Sequence, residues 1–217
     1  MNWFRKSLLS VAGLATVGLI FAAHYYYKGY FRPAGDYGPG AARSHVDAGE
    51  SIRLAQKALA LKMLLADGGF NPGIVFLLDM RLPSGRNRFF VYDLAKDSIL
   101  QSGLVAHGCG SSSFSFSPVF SNADGSNCSA IGRYRIGWPY MGHFGRSYLL
   151  YGLDPTNDHA LGRHIVLHSY GCVPENETDP YPICNSRGCA MVAPGFLRRL
   201  EPVIDRSAQP VLLWIFN

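Results

Sequence analysis

The sequence predicts a mainly β domain with a few peripheral helices, preceded by one N-terminal membrane-spanning or signal helix. Three observations predict it. Aromatic residues make up 13% of the chain and glycine occurs 24 times, a composition that suits strands and tight turns. From Gly73 onward, short apolar runs follow one another between turn residues, with few stretches of helical period. Residues 7–23 are an uncharged apolar run at the extreme terminus. A chain of 217 residues fits that segment plus one domain large enough to bury its own core. With 48% hydrophobic and 16% charged residues it is globular and not disordered. The net charge of +5 favours anionic surroundings such as a membrane surface or an acidic polymer. The basic residues are scattered, so no nucleic-acid partner is expected.

Arg5 and Lys6 precede the apolar run, which reads as an export signal. Its length is at the short limit for a spanning helix, and Trp3, Phe4, Tyr25, Tyr26 and Tyr27 suit interfacial anchors. Small residues do not occupy both positions of a cleavage motif in Phe21-Ala22-Ala23, so an uncleaved anchor is the favoured reading and a cleaved signal the alternative. Either way the remainder is placed outside the cytoplasm. The expected organisation is a signal or anchor at 1–27, a Gly/Pro-rich linker at 28–44 and a domain at 45–217.

The domain opens on a helix over 47–67. Asp47 and Glu50 form a capping pattern, Ile52, Ala55, Leu59, Met63 and Ala66 recur at helical spacing, and Gly68-Gly69 ends it. Residues 74–78 and 88–93 flank Pro83-Ser84-Gly85-Arg86 and read as a hairpin. Further strands are predicted over 99–107, 130–136, 148–152, 164–169 and 211–216. A second helix is predicted over 194–205, with proline at its start.

The five cysteines are Cys109, Cys128, Cys172, Cys184 and Cys189. An odd count in an exported chain suggests two bridges and one remaining thiol. Cys172 and Cys184 bracket a Pro-rich loop, so the predicted pairs are Cys172–Cys184 and Cys109–Cys128. Four cysteines allow three pairings, and the sequence does not choose among them. No CxxC or HExxH is present and the Cys/His spacing is poor for zinc, so no metal is expected.

The region 165–192 carries the candidate chemistry. It delivers His168 at the end of an apolar run and Cys189 on the return of the same excursion. A cysteine nucleophile needs a proton acceptor and donors for an oxyanion. His168 supplies the base, and Ser169 or a nearby carbonyl orients its second nitrogen. The amides of Gly188 and Cys189 are candidates for the oxyanion site.

Ser-x-Gly-Cys after a strand ending in histidine resembles the L,D-transpeptidase (YkuD) catalytic domain. The murein L,D-transpeptidase-like branch agrees further through VAHGCGS (105–111), FSNADGS (120–126), SAIGRY (129–134), YMGHFGRSYLLYGLDPTN (140–157), IVLHS (165–169) and SRGC (186–189). The similarity covers about residues 70–217, with the motifs in the expected order. The resemblance implies a YkuD-like β-sandwich or mixed sheet, with Cys189 as nucleophile, His168 as base and Ser169 orienting it. Ser186 and Gly188 belong to the turn that shapes the oxyanion site. It implies attack on a peptidoglycan stem peptide, loss of the terminal D-alanine, and transfer of the acyl group to an amine or to water, without a cofactor.

Ser186, Arg187, His107, His143 and Arg146 are the substrate-binding candidates, and Arg163 joins Arg146 and Arg187 as a candidate holder of stem-peptide carboxylates. For each histidine the bland alternative is a satisfied structural residue. The chain departs from the family at Arg187, where many members have histidine, and at Ala190-Met191-Val192, where arginine is common. These neighbours line the cleft, so donor and acceptor preference do not carry over. The expected setting is the bacterial envelope: a periplasmic monomer acting on peptidoglycan stem peptides, held at the inner membrane if the signal is uncleaved. The competing reading is a catalytically degenerate peptidoglycan-binding or structural envelope domain.

Overall fold

The computed structural model describes residues 47–65 and 68–217. The predicted signal or anchor at 1–27 and the linker at 28–44 lie outside the described residues. Among the described residues no helix is long and apolar enough to cross a membrane.

Helix α1 (Ala48–Leu65) is followed by strands β1 (Ile74–Asp79), β2 (Phe89–Asp93), β3 (Ser98–Gly103), β4 (Val105–Ala106), β5 (Gly132–Gly142), β6 (Gly145–Gly152), β7 (Val166–Ser169) and β8 (Ala190–Val192). Helix α2 (Pro194–Asp205) and strand β9 (Leu212–Phe216) close the chain. The described strands form one mixed sheet in the order β3-β2-β1-β9-β5-β6-β7-β8-β4. The β1–β9 and β7–β8 pairs are parallel and the other ladders antiparallel. The expected mainly β domain with peripheral helices is the fold observed.

Two apolar layers hold it. In the larger, Phe76, Phe89 and Val91 pack with Tyr134, Tyr148, Leu150 and Leu167 and with Phe196 and Leu200 of α2. In the smaller, Leu54, Ala58, Leu61 and Leu65 of α1 pack on Val75, Leu77, Phe90 and Leu212. Each fully buried leucine contributes about 1.5–3 kcal/mol by leaving water. Alternation along β1 sends Phe76 to one layer and Leu77 to the other, so the sheet is apolar on both faces here.

Several sequence expectations need correction. The buried stripe of α1 is Leu54, Ala58, Leu61 and Leu65, whereas Ile52, Leu59 and Met63 are exposed. Ala66 lies outside the described residues. Apolar residues lie on more than one side of this helix, so spacing does not select a face; its ion pairs do. Arg53 reaches buried Asp79 (2.9 Å) and Glu50 faces Arg86 (3.4 Å), which turns that side toward the sheet. The Asp47 cap is present, with Glu50 N–H donating to Asp47 Oδ1 at 2.7 Å. The strand predicted over 99–107 divides. Its first part stays beside β2, and β4, separated from it by Leu104 alone, pairs with β8 at the other end of the strand order, so the sheet curls until its two edges approach. Strand β8 has only three residues, which carry too little periodicity to mark a strand in the sequence. Helix α2 has the predicted bounds, and Glu175 of the preceding loop caps it by accepting from Gly195 N–H and pairing with Arg199 at 3.8 Å.

Candidate active site

The β7–β8 ladder organises the site. Leu167, His168 and Ser169 pair in parallel with Ala190, Met191 and Val192. His168 also pairs with Ser147 of β6, and Ser147 with Tyr140 of β5. Paired residues share a face, so Tyr140, Ser147, His168 and Met191 form one row across four strands. Continuing the register by one residue sets Cys189 beside Val166, on the same face as His168. Standard sheet spacings then put the Cα atoms of Cys189 and His168 about 8 Å apart.

His168 is buried, at 2% exposure. Its Nδ1 donates to the Ser169 carbonyl at 3.1 Å. A carbonyl only accepts, so this bond selects the Nδ1–H tautomer and leaves Nε2 as the free base. The orienting group is thus the backbone of Ser169. Phe144, at the β5–β6 turn, stacks on the imidazole (4.2 Å, 20°), and Tyr170 meets Phe144 edge-on at 6.0 Å. Burial lowers the His168 pKa below its ordinary value, with the Ser169 carbonyl opposing in part. Phe144 belongs to the 140–157 motif, but nothing in the sequence ties it to His168. His143 is exposed at the same turn, its ring 5.0 Å from that of Phe144.

Cys189 Sγ donates to the His164 carbonyl at 3.8 Å. Among the described residues no hydrogen bond joins Cys189 to His168. Burial raises the Cys189 pKa, opposed by the Val166 backbone hydrogen bond and by the charge of Arg163. At neutral pH both shifts favour the uncharged forms, the thiol and the imidazole.

The turn before Cys189 is built on glycine and serine. Gly188 has φ +110°, and a side chain there would meet the Cys128 carbonyl at 2.8 Å. Gly188 N–H donates to Ser186 Oγ (3.2 Å), whose own proton goes to the Cys189 carbonyl (2.8 Å). In this conformation the Gly188 amide is engaged inside the turn. Arg187 is exposed between them.

His107 and Arg146 occupy places other than the cleft positions expected of them. His107 is fully buried, so it is not available to a substrate as the fold stands. Its Nδ1 accepts from Arg88 Nη2 (2.9 Å), and its Nε2 lies 3.1 Å from the Ser115 carbonyl. Its backbone supports the Cys189 turn, because Ser186 N–H donates to the His107 carbonyl at 2.9 Å. Arg146 alternates with Ser147 and so projects from the opposite face, where it is paired with Asp205 and Glu201 of α2. A cavity of about 350 Å³ lies beside it, lined by Trp138, Ile204 and Gln209 among others. None of Cys189, His168 and the Ser186–Gly188 turn lines it.

Burial and the Arg88 charge hold the His107 pKa at about 4. In the unfolded chain it returns to about 6.5. Between these values the unfolded chain binds the extra proton, so stability falls as pH drops from about 6.5 to 4, by about 3 kcal/mol at most. Urea midpoints at pH 7 and pH 4.5 are expected to differ less in His107→Gln than in the native protein. Equal differences would refute the assignment.

Cys172 and Cys184 form the expected bridge, with a Cα–Cα distance of 6.1 Å. The expected Cys109–Cys128 bridge is absent: both are free thiols, as is Cys189. The Cys109 thiol turns to the Gly110 carbonyl and that of Cys128 to the Ser126 carbonyl. Backbone contact joins the two segments instead. Gly110 N–H donates to the Asn127 carbonyl at 3.2 Å, and a side chain on Gly108 would stand 2.2 Å from that oxygen. Among the described residues no group of three or more His, Cys, Asp or Glu side chains is placed to hold a metal.

The protein-family model YkuD_2, described as the L,D-transpeptidase catalytic domain, matches residues 50–215. The chain belongs to the L,D-transpeptidase catalytic domain family. No curated protein matches it. Among solved structures, this L,D-transpeptidase family member is similar to an L,D-transpeptidase from Xylanimonas cellulosilytica at 14% identity and a TM-score of 0.42, over 86% of this chain and 85% of that one. It is similar to the helical cell shape determining protein Pgp2 from Campylobacter jejuni at 12% identity and a TM-score of 0.40, over 76% of this chain and 54% of that one. An L,D-transpeptidase (Yku) from Stackebrandtia nassauensis matches at 12% identity and a TM-score of 0.39, over 78% and 68% of the two chains. The chain thus spans about half the length of Pgp2. These likenesses are too distant to transfer a residue's role.

Proposed function

We propose that the protein is a peptidoglycan L,D-transpeptidase working in the bacterial envelope, with Cys189 as nucleophile and His168 as general base. The observation that supports this reading is the parallel β7–β8 pairing, whose register, continued one residue before β8, would bring Cys189 to the face of His168. Family membership supports the reaction class.

His168 Nε2 takes the thiol proton as Cys189 Sγ attacks the carbonyl carbon of the third stem residue. The oxyanion lies near the 186–189 turn, with the Cys189 amide as a donor. The tetrahedral intermediate collapses, the C–N bond breaks, and D-alanine leaves with the proton returned from His168. A thioester remains on Cys189. An amine of a neighbouring stem attacks it, His168 accepts the amine proton, and the thiol is regenerated as the cross-link forms. Water in place of the amine gives L,D-carboxypeptidase activity. Catalytic hydrogen bonds are often long before substrate binds and tighten in the complex, so the missing Cys189–His168 bond does not oppose this sequence. Arg187 and His143 are exposed at the turns beside the pair and suit contacts to the stem peptide.

The degenerate binding domain is the second reading, favoured by the Cys189 thiol resting on the His164 carbonyl. D-alanine release from a disaccharide tetrapeptide separates the two. The expected result is stoichiometric or catalytic release by the native protein and none by Cys189→Ser. Equal release by both would refute Cys189 as nucleophile, and binding without release by either would favour the binding domain.

A further inference from the structure

We propose that Arg163 is the positioning residue for the Cys189 sulfur, clamping the 121–128 loop against the Gly188-Cys189 turn and supplying the positive charge beside the thiolate. This rests on the reading of Cys189 as the nucleophile. Arg163 and His164 immediately precede β7. His164 gives its carbonyl to the Cys189 thiol, and its φ of +53°, uncommon outside glycine, marks a fixed bend there. Arg163 Nη1 donates to the Ser121 carbonyl (2.8 Å), and Nη2 to the Cys128 carbonyl (2.6 Å) and Ser126 Oγ (3.2 Å). All three acceptors are neutral, and among the described residues Arg163 forms no ion pair with a carboxylate. A side chain on Gly188 would stand 3.3 Å from Nη2, so the guanidinium abuts the residue before the nucleophile. Glycine at 188 leaves room for this approach.

The titratable side chains on the elements around Cys189 are Arg163 and His164 before β7, His168 on β7, Arg187 on the turn, and Cys128 and Asp124 on the facing loop, with Asp124 directed to His159 at 3.8 Å. Arg163 is the charged group among them that acts on the sulfur, opposing the effect of burial. Ala190-Met191-Val192 follow Cys189 in the chain, so no cation comes from the residues after it, and Arg163 approaches from another segment. In the reaction it favours the developing thiolate as His168 removes the proton.

The test is the pH dependence of alkylation by iodoacetamide in the folded protein, read by peptide mass on Cys189 separately from Cys109 and Cys128. Arg163→Gln is expected to move the midpoint for Cys189 up by about one pH unit and to slow its alkylation at neutral pH about tenfold. Arg163→Lys keeps the charge without the fork, so it is expected to hold the native midpoint while melting earlier. Folded variants that melt earlier with midpoints at the native value in both would reduce Arg163 to a structural clamp and overturn the proposal. Should Arg163→Gln fail to fold, the native protein decides: a Cys189 midpoint that rises with added salt supports the charge role, and a midpoint unchanged by salt overturns it. Alkylation needs no stem peptide, so this outcome is independent of whether the protein turns one over.

Discussion

His168→Ala is expected to slow acylation of Cys189 by about 10²–10⁴-fold while leaving the protein folded. The imidazole is buried, its Nδ1–H is spent on the Ser169 carbonyl, and Nε2 is left to accept a proton. Removing it strands a neutral thiol whose pKa burial has raised, so little thiolate is present near neutrality. The pH profile gives a second readout. His168 accepts a proton only while unprotonated, and its pKa lies below the ordinary 6.5. In the native protein kcat/KM should therefore fall as pH drops, with the midpoint of that acid limb below 6.5. The limb should be missing in His168→Ala, and added imidazole should restore part of the rate. Single-turnover D-alanine release at fixed pH checks the magnitude. Unchanged turnover in the variant would refute the role of His168.

Arg88→Ala is expected to cost about 3–5 kcal/mol of stability, the largest loss we foresee for one surface-distant side chain. Arg88 is fully buried and donates to the Leu82 carbonyl, twice to the Val105 carbonyl and to His107 Nδ1. Burial lowers its pKa to about 10, opposed by Asp79, so it remains charged at neutral pH. Truncation leaves two carbonyl oxygens and a ring nitrogen without these donors and opens a cavity. The damage reaches the site through His107, whose carbonyl holds the Ser186 amide. Arg88→Lys restores the charge but not the fork, so an intermediate loss is expected. Urea denaturation checks both variants. An Arg88→Ala midpoint within error of the native value would contradict the account of this network.

Much of the frame is legible in the sequence because it rests on local signals. Strands β1, β2 and β9 and helix α2 are marked by apolar runs bounded by turn residues or proline. The Cys172–Cys184 bridge is suggested by two cysteines bracketing one loop, although four cysteines allow three pairings. What stays hidden depends on pairing between distant segments. Strands β3 and β4 are joined through Leu104 alone yet stand at opposite ends of the strand order, so the sheet curls until its two edges approach and the chain changes partner from β2 to β8. After that change of partner His107 is fully buried, against Arg88 through its ring and Ser186 through its carbonyl. Arg146 and Ser147 are neighbours in sequence but face opposite sides of β6, and only the strand register shows which side holds His168. The face of α1 is set by Arg53–Asp79 and Glu50–Arg86, contacts across 26 and 36 residues. Arg163 reads as one more scattered cation until the 121–128 loop is seen to wrap it.

The most direct test of the central claim is intact-protein mass spectrometry after incubation with a disaccharide tetrapeptide, with Cys189→Ala alongside. The account predicts an adduct of the stem peptide less D-alanine, mapped to Cys189 and absent from Cys189→Ala. An unmodified spectrum from folded protein with a free Cys189 thiol, or an adduct that persists in Cys189→Ala, would contradict it.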